Sequence, residues 1–286
     1  MKKILILGST GMMGSSISKL IKNDKRFKIL CTYKDHHKIR LIKLDKNQKK
    51  RLDVFNFNEL KKIIYKFNPD YLINCVGLIK QLSNKKNIKK TKFLNTILPK
   101  KLSSVAKDKK FRIIHLSTDC VFSGKKGNYK ESDKCDAQDL YGVSKLKGEI
   151  VSKFVLNIRT SIIGHELQSS NSLLNWFLNQ KEINGFKKAF FSGLTTLELS
   201  KIIINEIIEK NKIINGLFHI SGPRISKLNL LKIVKKIYKR KTIINIDNSF
   251  KIDRSLNSSK FTKLIKNKKK SWLNMIKEQR IFNENF

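Results

Sequence analysis

Short apolar runs alternate with helix-period patterns over the first two-thirds of the chain. Lys2–Leu7, Phe27–Thr32, Lys50–Val54, Tyr71–Cys75, Arg112–Ser117 and Val155–Arg159 are brief and mostly rich in β-branched residues, and they read as strands. Between them Met12–Lys22, Phe57–Phe67, Lys92–Lys107 and Leu140–Phe154 space apolar residues three and four apart, the period of an amphipathic helix. Strand and helix in alternation predict βαβ units, and so an α/β fold of Rossmann type, a doubly wound parallel sheet. Past about residue 160 the alternation loosens. A helix at Ser172–Gln180, another at Thr196–Lys210, a strand at Leu217–Ile220 and a helix at Lys227–Tyr238 predict a smaller C-terminal lobe. The expected division is 1–160 for the sheet domain and 161–286 for the lobe, the two intertwined.

Composition narrows the classes. With 286 residues, 40% hydrophobic and 17 Phe, the chain can fill a sizeable core. The formal charge of +40 raises nucleic acid or an anionic membrane as partner. Yet only nine of the 62 basic residues are arginines, the side chain that forks base edges. Abundant Lys, Ile and Asn with three prolines fit a genome favouring A and T, so the charge is read as compositional and no nucleic-acid partner is expected. No apolar run approaches a membrane span, which predicts no membrane insertion. The run Ile4–Leu7 passes into glycines, unlike a signal peptide. Cys31, Cys75, Cys120 and Cys135 form no CxxC pair and no histidine lies at ligand spacing, which predicts no metal site and a reducing cytoplasm. His36 and His37 read as surface loop, His115 as core, and Lys266–Lys270 as a solvated loop or helix start. A homodimer is compatible with all of this.

Chemistry enters with the glycines. Gly8-Ser-Thr10-Gly11-Met12-Met13-Gly14 follows the first strand and opens the first helix. That context asks one glycine for a tight turn, one for close backbone approach to a pyrophosphate and one for helix–strand packing, with the helix N-terminus facing the anion. Lys34 follows the second strand, where a cation suits the 2′-phosphate of NADP(H). The neighbouring Asp35 keeps NAD(H) open, with NADP(H) favoured. Asp53 and Val54, ending the third strand, are candidates for the adenine edge. Farther on, Thr118 and Asp119 end a strand, and Tyr141 and Lys145 lie one helical turn apart. An ammonium beside a phenol is expected to lower the phenol's pKa toward the working pH, as general acid–base chemistry needs.

These motifs, with Asn74-Cys75-Val76-Gly77, Asn95–Pro99, Ser117-Thr118-Asp119-Cys120-Val121-Phe122, Tyr129-Lys130-Glu131, the stretch YGVSKLKGE from Tyr141 to Glu149, and Arg159-Thr160-Ser161, resemble the extended short-chain dehydrogenase/reductase superfamily. Within it the chain is similar to the dTDP-4-dehydrorhamnose reductase family, and Gly193–Leu199, His219–Pro223 and Arg254–Asn257 resemble that family's sugar-nucleotide lobe. The resemblance implies NAD(P)H-dependent reduction of the keto group of a nucleoside-diphosphate 4-keto-6-deoxy sugar, for cell-surface polysaccharide precursors. It implies Thr118, Tyr141 and Lys145 as catalytic. Gly8, Thr10, Gly11, Met12, Met13, Gly14, Lys34, Asp53, Val54, Cys75, Val76, Gly77 and Asn95, again with Tyr141 and Lys145, would bind the cofactor. Thr118, Asp119, Ile162 and Arg254 would face the sugar nucleotide. Arg159, Arg224 and Arg254 are the arginines best placed to fork a diphosphate.

Three departures bear on the substrate: Cys120 where the family has Tyr, Ile162 where rhamnose-forming members usually have an aromatic, and an unusual loop at Leu78–Gln81. Two alternatives stay open. A nucleotide-sugar epimerase or dehydratase with tightly held NAD is one, although dehydratases carry Asp-Glu where this chain has Asp119-Cys120. A non-catalytic regulatory subunit on the same fold is the other, and it predicts a damaged triad.

Overall fold

The computed structural model describes residues 1–212, 214–266 and 269–285. Seven strands form the central sheet: β1 (Lys2–Leu7), β2 (Phe27–Tyr33), β3 (Lys49–Arg51), β4 (Tyr71–Asn74), β5 (Arg112–Leu116), β6 (Val155–Arg159) and β7 (Gly216–His219). Their order is β3-β2-β1-β4-β5-β6-β7 and every pairing is parallel. Because β7 comes from the C-terminal third, the second segment returns to complete the first segment's sheet.

Both faces are buried, as a parallel sheet requires. Along β1, Ile4 and Ile6 enter the larger core, while Leu5 and Leu7 enter a second one on the opposite face. The larger core includes Ile17 and Ile21 from helix Met12–Ile21 and extends into the lobe through Leu199, Phe177 and Met275. The second is closed by helices Phe57–Phe67 and Leu98–Lys109, through Leu60, Leu98 and Leu102.

Three elements depart from the pattern-based expectation. The helix expected over Leu140–Phe154 stops at Leu146. A side chain at Gly148 would come within 1.9 Å of the Asn95 carbonyl oxygen, and Asn157 on β6 exchanges two hydrogen bonds with the Ile150 backbone, at 2.8 and 3.1 Å. Tertiary pairing therefore overrides local propensity. The helix expected from Lys92 begins at Ile88 and carries a π-turn at Phe93–Ile97, which turns Asn95 inward. His36 and His37 open a short helix capped by Asp35, where a loop was expected.

Most of the lobe's strands are two or three residues long, too short to show a period. Ala189–Phe191 pairs with Ile225–Ser226 on one side and Ile252–Asp253 on the other. Glu182–Phe186 pairs with Ile243–Asp247, and Ile162–Ile163 with Leu194–Thr195. Helix Trp272–Glu284, unseen in the pattern, docks through Gln279, whose side-chain oxygen accepts from the Thr196 hydroxyl and the Leu197 amide, both at 3.0 Å. The lysine run before it is more than solvated chain: Lys270 pairs with Glu198 and Glu278, and Lys269 donates to Ser221, while Lys268 lies outside the described residues.

Candidate functional site

The glycine loop joins β1 to helix Met12–Ile21. Gly8 has φ +77°, a conformation that L side chains resist, and a side chain at Gly14 would lie 2.2 Å from the Gly8 carbonyl oxygen. Ser9 fastens the loop to β2, its hydroxyl donating to the Thr32 carbonyl at 2.6 Å. Gly11 caps the helix without a side-chain hydrogen bond. The first-turn N–H groups are therefore left facing outward, an end suited to a pyrophosphate. Thr10, Gly11 and Met12 line this end, whereas the Met13 side chain is buried in the core, so it can offer a ligand only its backbone.

Lys34 and Asp53, expected to contact the adenosine half separately, pair with each other at 2.7 Å. Both are exposed, so the pair contributes little and a phosphate can displace the carboxylate. Val54 packs against the second core beside them.

Cys75, Val76 and Gly77 follow β4 and press on the loop, a side chain at Gly8 reaching 2.9 Å from Val76 Cγ2, while Thr118 and Asp119 follow β5. Thr118 caps a turn at Asp119–Val121, accepting from the Cys120 amide at 3.1 Å, and its hydroxyl donates to the Asp119 carboxylate at 3.2 Å. Tyr141 and Lys145 share the helix Leu140–Leu146, with Asp139 as its N-cap. Lys80, from the unusual Leu78–Gln81 loop, pairs with Asp139 at 2.8 Å and so ties that loop to the start of the Tyr141 helix.

Asn95 is the hinge of this wall. Its side chain accepts from the Leu78 amide at 2.8 Å, and donates to the Leu78 carbonyl at 3.1 Å and the Ser144 hydroxyl at 3.0 Å. It thus positions the residue before Lys145 together with the loop after Gly77. A side chain at Gly77 would reach 3.7 Å from Lys145 Nζ, which places that loop beside the ammonium.

The electrostatics correct one expectation. Lys145 Nζ donates to the Leu116 carbonyl, and burial lowers its pKa to about 8, against the opposing pull of Glu149 and Cys75. The Tyr141 phenol is held above its ordinary value by burial and then by Cys120, with the nearby Thr118 hydroxyl opposing. The phenol is therefore a stable proton donor near neutrality, rather than an acid already depressed by Lys145. Burial also raises Asp119, while Lys227 and Arg254 pull the other way. His115 is buried and kept neutral, its Nδ1 facing Asn74 Nδ2 at 3.2 Å.

The arginines divide. Arg159 is not free for a diphosphate: it forks Glu149 at 2.8 and 2.7 Å beneath the surface, and Glu149 also accepts from Ser117. Arg224 is held by Asp253 at 2.8 Å and lies over the Phe190 ring. Arg254 donates through Nε to the Phe122 carbonyl at 2.9 Å, directly after the Thr118 turn. Ile162 packs against the larger core beside its strand partner Leu194.

Sequence reasoning gave no partner for Ser9, Lys80, Glu149 or Lys227, which the structure sets against Thr32, Asp139, Arg159 and the Phe191 ring. Glu149 stood in a quoted motif, but its partner lies on another strand. Lys227 is one lysine among many, and nothing in its neighbours marks it.

Among the described residues no helix is long and apolar enough to cross a membrane. A family model described as the RmlD substrate binding domain matches residues 1–284. A dTDP-4-dehydrorhamnose reductase from Aggregatibacter actinomycetemcomitans is 30% identical over 52% of this chain and 46% of its own length. The chain spans about half the length of the curated relatives it matches. A solved structure from Sulfolobus tokodaii, described as a hypothetical dTDP-4-dehydrorhamnose reductase, is 27% identical with TM-score 0.76, covering 92% of this chain and 94% of its own. The Bacillus anthracis dTDP-4-dehydrorhamnose reductase in complex with NADP shares the fold at TM-score 0.80 and 19% identity, covering 98% and 99% of the two chains.

Proposed function

The chain belongs to the RmlD substrate-binding domain family, and from that premise we propose that it is an NAD(P)H-dependent reductase of the keto group of a nucleoside-diphosphate 4-keto-6-deoxy sugar. We place it in the cytoplasm, in the synthesis of a cell-surface polysaccharide precursor. The observation that carries the reading is that the Thr118 hydroxyl stands beside the buried Tyr141 phenol, with Lys145 on the same helix and next to Gly77, in the loop that follows the Val76 packed on the glycine cradle.

The residues divide the work. A nicotinamide dinucleotide supplies the hydride. Gly8, Gly11 and the first-turn amides bind its pyrophosphate; Lys34, freed from Asp53, binds the 2′-phosphate that makes NADP(H) the favoured form. Tyr141 gives its proton to the oxygen of the reduced carbonyl, for which burial keeps the phenol loaded. Thr118 donates a hydrogen bond to the same oxygen as its charge grows. Lys145 offers its ammonium to the cofactor ribose and keeps positive charge near the phenolate that Tyr141 becomes. Asp119 and Arg254 face the sugar nucleotide.

Four of the nine arginines are held in ion pairs with Asp24, Glu149, Asp253 and Glu284, which supports reading the +40 charge as surface composition rather than a nucleic-acid footprint. NADPH oxidation against a panel of nucleoside-diphosphate 4-keto sugars is the test. Tyr141→Phe is expected to lose on the order of 10²- to 10⁴-fold in kcat, with NADPH affinity nearly unchanged. Turnover retained in that variant overturns the mechanism.

A further inference from the structure

The helix of Tyr141 and Lys145 ends at Leu146, and the chain then turns back toward the sheet: the Gly148 amide donates to the Lys145 carbonyl at 3.0 Å and the Glu149 amide to the Leu146 carbonyl at 3.1 Å. This turn sets the Glu149 carboxylate against the strand end that leads into Thr118. Its Oε1 accepts from the Ser117 hydroxyl at 2.6 Å and from Arg159 Nε at 2.8 Å, and its Oε2 from Arg159 Nη2 at 2.7 Å. Ser117 stands between Thr118 and Leu116, whose carbonyl accepts from Lys145 Nζ. Lys145 and Glu149, from one short segment, thus grip adjacent residues at the end of β5.

The same carboxylate lies beside two buried cations, Lys145 and Arg159. Burial drives Lys145 toward the neutral amine, and Glu149 and then Cys75 oppose it. The other titratable groups around the amine carry no charge near neutrality. Burial pushes the Cys75 thiol up to about 12, holds the Tyr141 phenol above its ordinary value, and keeps His115 neutral with help from Lys145 itself. Around Arg159 stand Glu131, whose Oε1 accepts from the His219 amide at 2.9 Å, and the Cys135 thiol, raised by burial. Glu149 is therefore the anion that acts on Lys145 among the described residues, and a buried ammonium without an anion reverts to the amine.

We propose that Glu149 is a positioning residue for the reaction: held by Ser117 and Arg159, its carboxylate is the counter-charge of the Lys145 ammonium and ties the strand end leading into Thr118 to the segment that carries Tyr141 and Lys145. This rests on the reading of the chain as an NAD(P)H-dependent reductase. Glu149 touches neither substrate nor cofactor. It acts through Lys145, whose charge it keeps, and through Ser117, which fixes the place of Thr118. Arg159, in turn, is the clamp that keeps the carboxylate ionised and in position.

The experiment follows two profiles from pH 6 to 10, kcat/KM with a keto sugar nucleotide and NADPH affinity by nicotinamide fluorescence, in variants whose folding is checked by circular dichroism. In Glu149→Gln the alkaline limb of both profiles should move down by about one pH unit, so that the variant loses about tenfold more at pH 9 than at pH 6. Because that change strands Arg159, the double variant Glu149→Gln with Arg159→Met removes both buried charges together, a replacement that folds tolerate better than half a pair. Loss of the Arg159 charge alone would move the limb up, so a downward move in the double variant belongs to Glu149. Ser117→Ala keeps both charges, and kcat should fall several-fold at every pH with the limb in place. A limb that stays or rises in the folded double variant overturns the counter-charge, and an unchanged kcat in Ser117→Ala overturns the tie. A wild type that binds NADPH but reduces no keto sugar removes the reductase reading, and the affinity profile then decides the role of Glu149 by itself.

Discussion

The glycine loop with the Tyr141 helix, and the wall formed by residues 189–191, 225–227 and 252–254, face the same space but are built differently. In the first, contacts between close neighbours in sequence set much of the geometry, Gly14 packing on Gly8, Asp139 capping the helix of Tyr141 and Thr118 capping its own turn, with Asn95 and the Leu116 carbonyl fixing the Lys145 helix from farther along the chain. In the second, strands of two or three residues from distant segments are held by one another, and each charged side chain is set by a partner far along the chain. In the proposed reading the shared chemistry sits on the first kind of construction and the substrate contacts on the second, where single residues can change without disturbing the sheet.

The sharpest way to break that contrast is to neutralise one cation on each side. Lys145→Met should cost on the order of 10²- to 10⁴-fold in kcat, whereas Arg254→Met should act mainly on KM; equal losses in kcat would erase the distinction. Next comes the buried fork of Arg159 on Glu149, which ties the end of the Tyr141 segment to β6. Glu149→Gln leaves the guanidinium uncompensated and is expected to destabilise the fold by about 3–5 kcal/mol, read by urea denaturation. Breaking the exposed pair of Lys34 and Asp53 should change the same measurement by at most about 1 kcal/mol.

The pH profile is a milder probe. Lys145 must carry its proton to act, and burial lowers its pKa to about 8. Because the ammonium is the working form, kcat/KM should fall as pH rises through about 8, and a profile flat to pH 10 would contradict the assignment. The smallest effect is expected at the adenosine end. Lys34→Ala should weaken NADPH about tenfold relative to NADH, roughly 1.4 kcal/mol. Equal losses for the two cofactors would mean that Lys34 does not read the 2′-phosphate.

Much of the sheet was legible because a parallel strand buried on both faces is an apolar run, and six of the seven strands lie in such runs or touch them. β3 is the exception in composition, lysine-rich and at the sheet's edge; the strand expected at Lys50–Val54 is found as Lys49–Arg51, its bounds set by the register with β2. The early end of the Tyr141 helix was not legible, since its cause is the Asn95 carbonyl against Gly148 and the clamp of Asn157 on Ile150. Arg159 misled for a related reason. Its charge and its neighbours in sequence suit a phosphate, but its partner Glu149 comes to it only when the helix segment folds over β6.

The residue order alone determined the βαβ alternation, the glycine cradle and the turn-spaced Tyr141 and Lys145, because each depends on periodicities and contacts within a few residues. Tertiary structure decided the charge states and which cations find partners. Burial holds the Tyr141 phenol up and the Lys145 ammonium down. Long-range pairing forks Arg159 on Glu149 and ties the Nε of Arg224 to Asp253 and that of Arg254 to the Phe122 carbonyl. Desolvation and ion pairing are properties of three-dimensional surroundings, and no local pattern of residues encodes them.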